Sequence, residues 1–230
     1  DSSSFFRRVD SVVFKNIDTS YVTNMSEMFD SWRLTTLDLS NFNTENVTNM
    51  NSMFNGCSHL QSVDLSNFNT ENVTDMGSMF ENCHLLTSVD LSNFNTKNVT
   101  DMSLMFAVCR ELTSIDLSNK FNTENVTNMF LMFASCEKLP SLDLSNFSTK
   151  NVTNMERMFE NCYKLSSLAL SNKFNTENVT NMSEMFSRCY SLPDRWQWNV
   201  PETQLTDAGS YFYAATFTPE DTKNFNVLAD

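Results

Sequence analysis

The sequence of 230 residues is poor in the residues that usually punctuate a fold, with three Gly, four Pro and two His. Because Gly is scarce, we expect turns to be made largely by Asn, the non-Gly residue that best tolerates positive φ. No run of about 18 apolar residues occurs, so we expect no transmembrane helix. The sequence starts at Asp1 without a charged, apolar leader, so we expect a secretion signal to be absent or already removed.

Positive charge is also scarce. The chain has 15 Lys and Arg against 28 Asp and Glu, which gives a net charge of −13 and a pI of about 4.5. Binding to nucleic acid or to an anionic membrane surface requires a basic patch. The composition therefore argues against both kinds of partner.

One short motif, V-T-[ND]-M-x-x-M-F, recurs along the chain, and we name it the Met-Phe motif. It holds all 14 Met, and each of the six Cys follows a motif Phe by three residues. The motif begins at Val22, Val47, Val73, Val99, Val126, Val152 and Val179. This spacing of 25–27 residues is typical of a solenoid, in which near-identical coils stack on each other.

Each repeat contains two apolar patterns. Apolar residues of one motif fall at i, i+3, i+4 and i+7, as one face of a short helix requires: Met50, Met53, Phe54 and Cys57. Asn46 or Thr48 is a suitable N-cap for that helix. Residues 60–68 then follow the scheme L-x-x-V-x-L-x-x-F, whose centre alternates like a strand. We therefore expect one short helix and one short strand in each coil.

The sequence thus predicts an α/β repeat solenoid of leucine-rich-repeat type, a right-handed stack of about seven 26-residue strand–helix coils with a parallel sheet. Residues 12–17 align with residues 63–68, which predicts an N-terminal strand before the first motif. We assign residues 1–192 to the solenoid. Residues 193–230 break the pattern and predict a β-rich C-terminal cap, because an open end exposes both core and strand edge.

The repeated units, such as LDLSNFNTENVTNMNSMFNGC, closely resemble the BspA-like leucine-rich-repeat surface proteins of bacteria over about residues 10–192. The resemblance implies a secreted, cell-surface or wall-attached modular protein, in a family often without known function and sometimes linked to adhesion. It supplies no catalytic motif. The tail segment AGSYFYAATFTPEDTKNFN resembles the last strands of the immunoglobulin-like modules of bacterial surface proteins, of which it would be a fragment.

The six Cys could be buried thiols, disulfides or metal ligands. Each occupies the inward i+7 position beside Met and Phe, and free Cys packs as a small apolar residue. Paired C-x-x-C spacing, which a zinc site usually has, does not occur. We expect buried thiols and no metal site.

An acidic residue recurs at the outward position of the strands, and we name these five residues the acidic row: Asp38, Asp64, Asp90, Asp116 and Asp143. Adjacent parallel strands lie about 4.8 Å apart, where like charges repel by about 1 kcal/mol in water. The row is either a solvated face that aids solubility or a binding site for a cation or a cationic ligand. Calcium ranks lower, because it needs six to eight oxygen ligands.

Two further patterns have structural interpretations. Alternating charges just before the motif predict a ladder of exposed ion pairs that sets the coil register: Glu71, Lys97, Glu124, Lys150 and Glu177. Triplets of the type N-V-T match a glycosylation acceptor, but they recur because the fold needs Asn and Thr there. The two His, His59 and His84, occupy different repeat positions and form no catalytic constellation.

We therefore expect a non-enzymatic, monomeric extracellular module without cofactor. Its acidic row would bind an extracellular protein or glycan on the concave face of the sheet. The alternative is a structural spacer with no ligand of its own, an interpretation that the monotonous Ser-Asp-Ser pattern favours.

Overall fold

The computed structural model describes residues 11–15, 17–117, 120–170 and 173–192. Within these ranges lie six short strands: β1 (Ser11–Val13), β2 (Thr36–Asp38), β3 (Ser88–Asp90), β4 (Ser114–Asp116), β5 (Ser141–Leu144) and β6 (Ser167–Leu170). They form three parallel pairs, β1 with β2, β3 with β4, and β5 with β6. The predicted cap over residues 193–230 and its immunoglobulin-like resemblance lie outside the described residues.

Strand register confirms the N-terminal strand. Val12 of β1 pairs with Leu37 of β2, so the start of the aligned segment occupies the strand position of a coil. Gln61 links the coils of β2 and β3, since Gln61 N donates to Thr35 O over 3.2 Å and Thr87 N donates to Gln61 O over 3.3 Å.

A second parallel ladder runs along the Met-Phe motifs. Bridges join the third motif residue of neighbouring repeats, in the order Asn24, Asn49, Asp75, Asp101, Asn128, Asn154 and Asn181. On either side of one bridge, Thr48 N donates back to Thr23 O over 2.8 Å and Met50 N donates forward to Asp75 O over 3.0 Å. Two parallel ladders on one repeat confirm a stacked repeat solenoid.

The predicted helix over the motif is wrong, since the described residues contain no helix. An α-helix needs each N–H to donate to the carbonyl four residues earlier. Here Ser52 N and Phe54 N instead donate to the next coil, over 2.8 and 2.9 Å. The N–H groups between them close turns, as when Met53 N donates to Met50 O over 3.2 Å. The motif is therefore a chain of turns bonded to its neighbours.

The predicted N-caps have a different role as well. Asn46 Nδ2 donates to Ser20 O over 2.8 Å, and Thr48 Oγ1 donates to Thr23 O over 3.1 Å. Both side chains thus donate to the preceding coil, whereas a cap would accept from an N–H of its own helix. Their repetition stabilises the stack.

Each repeat has two residues with positive φ, as type II turns require, one inside the Met-Phe motif and one two residues after the motif Phe. In the second repeat these are Ser52 (φ 56°) and Gly56 (φ 69°). The expectation that Asn would fill such positions is largely wrong, because among the thirteen described non-Gly residues with positive φ only Asn82 and Asn161 are Asn. Asn serves mainly as a hydrogen-bonding side chain, as described below.

The interior is built from columns of identical side chains, as the sequence predicts. The motif Phe residues stack with ring centroids 5.2–5.6 Å apart and planes within 13° of parallel: Phe29, Phe54, Phe80, Phe106, Phe133, Phe159 and Phe186. Met50, Met53 and Cys57 beside this stack are at most 2% exposed. The apolar spacing therefore identifies the inward face correctly, although the backbone there is not helical.

Candidate binding surface

All five carboxylates of the acidic row are exposed on the strands or the equivalent segments. Asp90 pairs in register with Asp116 across β3 and β4. At the ends of the row, Asp38 pairs with Val13 and Asp143 pairs with Ala169. The structure thus brings the predicted residues onto one face, with uncharged residues at both ends.

Four carboxylates of the row are followed by a turn within the described residues. Each of them accepts a hydrogen bond from the backbone N–H two residues later. The Oδ1–N distances are 3.0 Å for Asp38 and Ser40, 2.9 Å for Asp64 and Ser66, 2.8 Å for Asp90 and Ser92, and 2.9 Å for Asp143 and Ser145. Such Asx turns orient the side chain and end the strand. The Asp residues therefore have a structural role that the sequence pattern did not indicate.

The same hydrogen bonds lower the pKa of three Asp side chains of the row. The backbone N–H and then the hydroxyl of the following Ser lower the pKa of Asp38 and of Asp64. The pKa of Asp90 is lowered by the hydroxyl and the N–H of Ser92, against the charge of Asp64, which raises it. At these three residues, hydrogen bonds to the charged form thus outweigh the effects that raise the pKa.

No Lys or Arg of the described residues lies within 4.0 Å of a carboxylate of the row. The same part of the chain contains no group of three His, Cys, Asp or Glu that could hold a metal ion. The negative charge is therefore presented to solvent.

The alternating charge column is formed at one place. Lys97 Nζ lies 2.5 Å from Glu71 Oε1, and the pKa of Glu71 is lowered first by this hydrogen bond and then by the Lys97 charge. Glu124 lies 4.0 Å from Lys173, which is outside the predicted column.

The Cys prediction is confirmed, because all six are free and buried. Each Sγ donates to the carbonyl of a motif Phe in the preceding coil over 3.0–3.3 Å. Burial raises the pKa of Cys57 and of Cys109 to about 12. These thiols are structural donors rather than nucleophiles.

His59 has a nucleophile-like neighbour but not a catalytic arrangement. Its Nδ1 lies 3.0 Å from Ser58 Oγ, and its Nε2 lies 3.4 Å from a guanidinium nitrogen of Arg33. A Ser–His–carboxylate triad stabilises the imidazolium that forms during catalysis, whereas a guanidinium opposes it. This pair does not meet the requirements of a triad.

The N-V-T triplets are engaged in the stack, as the sequence interpretation expects. Asn72 Nδ2 donates to Glu45 O over 2.9 Å, and Asn98 Nδ2 donates to Glu71 O over 2.8 Å. The acceptor nitrogen of a glycosylation site is therefore already used in the fold.

One surface was not predicted from the sequence. The two variable positions inside the motif are polar in most repeats, but they carry Leu104 in the fourth motif and Phe130 with Leu131 in the fifth. These three side chains are partly exposed. The sequence signal was the departure of two repeats from the polar pattern, which the regularity of the motif concealed.

A stack of near-identical coils joined by parallel ladders defines a repeat solenoid with an exposed acidic face. The model of the family described as "Mycoplasma protein of unknown function, DUF285" matches residues 1–119, 86–191 and 112–225. The chain belongs to this family of BspA-like repeats, which confirms the resemblance. No curated protein matches the chain.

Two solved structures resemble the chain at low identity. A leucine rich cell surface protein from Faecalibacterium prausnitzii A2-165 is 18% identical with a TM-score of 0.42, over 91% of this chain and 65% of that one. A leucine-rich repeat protein from Bacteroides ovatus ATCC 8483 is 15% identical with a TM-score of 0.24, over 69% of this chain and 57% of that one. The chain therefore spans less than two thirds of either. Its described residues include no helix long and apolar enough to cross a membrane.

Proposed function

We propose that the chain is a non-enzymatic, extracellular or cell-surface module that binds an extracellular protein or glycan with clustered cationic groups through the acidic row. The observation that carries the proposal is the geometry of the row. Its carboxylates project from one face, Asx turns fix the orientation of four of them, and no cation of the described residues neutralises them. A fixed charge array of this kind is already organised for a partner, so binding costs little reordering.

The electrostatic field of the acidic row would mainly accelerate the first encounter with a partner. Aligned charges of one sign speed association with a partner of opposite sign more than they deepen the affinity. Exposed charges are screened beyond about 8–10 Å at physiological ionic strength. Binding through the row should therefore weaken steeply as salt increases.

The second candidate function, a structural spacer with no ligand of its own, has an observation in its favour. Each Asx turn gives the Asp a sufficient role inside the fold, so the row does not require a ligand to explain its composition. The two functions make opposite predictions for a variant that keeps the turns and removes the charges.

That variant is Asp64→Asn, Asp90→Asn and Asp116→Asn. The Asn side-chain oxygen can accept the same N–H, as Asn69 Oδ1 does from Glu71 N over 3.0 Å. Wild type and variant are tested against immobilised extracellular-matrix proteins and glycans, at about 0.1 M and about 1 M salt, where the Debye length is about 10 and about 3 Å. We expect a salt-sensitive ligand of the wild type that the variant does not bind.

Glu71→Gln, Glu124→Gln and Glu177→Gln form a matched control, because they remove the same charge from another exposed column. A ligand that binds the acidic-row variant and the wild type equally would exclude the row as the site. Absence of any ligand for the wild type across the panel would favour the spacer.

A further inference from the structure

The outward positions of the Met-Phe motif are polar in most coils and apolar in two adjacent ones. Three partly exposed side chains of the fourth and fifth motifs, and one that follows the Phe of the fourth motif by two residues, form what we name the apolar patch: Leu104, Phe130, Leu131 and Val108. The positions of Leu104 and Leu131 carry Glu, Ser or Arg in the other motifs, and the position of Phe130 carries Ser, Asn, Gly or Glu.

The patch is contiguous because the backbone ladder joins its two coils. Leu104 N donates to Phe130 O over 2.7 Å, and Val108 N donates to Ala134 O over 2.7 Å. The four side chains are not among the partly buried apolar residues that pack on the core in the described part of the chain. Each of them keeps part of its surface in contact with solvent.

Three of these residues have a backbone conformation that their side chains disfavour. Leu104 (φ 59°), Val108 (φ 63°) and Leu131 (φ 54°) all have positive φ. A bulky or β-branched side chain is a real outlier in that region, whereas Gly56 and Asn82 suit it at the position of Val108. Strained apolar residues at positions that other coils fill mostly with polar residues point to a role in recognition.

The surroundings define the chemistry of the partner. Glu81 lies one coil before the patch, where Asn82 N donates to Ala107 O over 2.8 Å. Glu156 and Glu160 lie one coil after it, since their carbonyls accept from Leu131 N and Ser135 N over 2.9 and 2.6 Å.

Arg157, a cation one coil after the patch, does not cancel this charge. The guanidinium of Arg157 is held by Glu184 at 2.6 Å, with Glu160 at 3.7 Å and Glu156 at 4.0 Å. The apolar centre therefore has carboxylates in the coils on both sides.

We propose that the apolar patch is a second binding surface, which docks a short polypeptide segment with an aliphatic or aromatic centre flanked by Lys or Arg. The apolar centre would cover the four side chains, and the flanking cations would face Glu81, Glu156 and Glu160. A second copy of this chain fits less well, because it would bring the same acidic rim and a net charge of −13. The patch lies on the Met-Phe motif and the two residues after it, so it is distinct from the acidic row on the strands.

Three synthetic peptides test the proposal by amide chemical-shift mapping: Lys-Lys-Phe-Leu-Lys-Lys, Glu-Glu-Phe-Leu-Glu-Glu and Lys-Lys-Ser-Ser-Lys-Lys. We expect the first to shift the amides of Leu104, Val108, Phe130 and Leu131, and the other two to bind at least about tenfold more weakly, because each lacks one half of the match. Shifts centred on the acidic row, or equal binding by all three peptides, would overturn the proposal.

A variant that restores residues of other coils separates recognition from folding: Leu104→Ser, Val108→Asn, Phe130→Ser and Leu131→Ser. We expect it to lose the peptide and to melt no lower than wild type, because it relieves the strained positions. The Asp64→Asn, Asp90→Asn and Asp116→Asn variant should bind the peptide as wild type does, so failure here is distinguishable from failure of the acidic row. A lower Tm, retained binding, or a wild-type dimer that the patch variant dissociates would each contradict the proposal.

Discussion

The thiol of Cys83 donates a hydrogen bond to the carbonyl oxygen of Phe54, one coil earlier, over 3.2 Å. Phe54 N–H meanwhile donates to Met79 O of the following coil over 2.9 Å. A small, apolar side chain with a weak donor fits this buried position, and Cys has all three properties. The Cys column therefore arises from the stacking of coils and not from redox or metal chemistry.

The thiols should be unreactive until the protein unfolds. The thiolate is the nucleophile, and with a pKa of about 12 only about one Cys109 in ten thousand is ionised at about pH 8. We expect native protein to react very slowly with a thiol reagent, and protein denatured without reductant to titrate six thiols. Fewer than six after denaturation would show disulfides that the structure does not contain.

Buried Thr residues form another ladder that the sequence pattern alone did not identify. Thr96 Oγ1 donates to Asn122 O over 2.7 Å and accepts from Asn122 N over 2.7 Å. Thr44 and Thr70 make the same pair of bonds with Asn69 and Asn95. One hydroxyl thus satisfies both backbone groups of a residue in the next coil.

Removal of that hydroxyl should be costly although the shape is kept. We expect Thr96→Val to lower the free energy of unfolding by about 2–3 kcal/mol, because Asn122 loses partners for its N–H and its carbonyl in a largely buried place. Thr96→Ser keeps the hydroxyl and should recover most of the loss. Urea unfolding measures both variants, and equal stability of the Val and Ser proteins would show that water replaces the hydroxyl.

The sequence predicts the inward side chains well because every coil repeats the same burial problem. Met53, Phe54 and Cys57 were assigned to the interior from spacing, and they are at most 2% exposed. The alignment of residues 12–17 with a strand was also confirmed by the pairing of Val12 with Leu37.

The backbone of the motif could not be predicted in the same way. Spacing at i, i+3, i+4 and i+7 is also compatible with successive turns, and the choice depends on hydrogen bonds to another coil, such as Ser52 N to Gly77 O over 2.8 Å. Periodicity within one repeat contains no information on such contacts. The Asx turn of Asp64 was not predicted either, because an exposed charge on a strand explains the residue without its local bond to Ser66.

Acid should destabilise the protein partly through the acidic row. Because the folded-state pKa of Asp64 and of Asp90 is lowered by hydrogen bonds from Ser66 and Ser92, the folded chain binds fewer protons than the unfolded chain, in which Asp has a pKa of about 3.9. This stability is fully present above the unfolded pKa and is lost as pH falls through the folded pKa.

The Asp64→Asn, Asp90→Asn variant keeps the turns but has no carboxyl to protonate. We expect its Tm at about pH 7 to equal or slightly exceed that of wild type, since repulsion is relieved, and its Tm to fall less between about pH 4 and about pH 2. Circular dichroism melts over this range decide the matter, and parallel acid curves for the two proteins would show that the turns do not couple to ionisation.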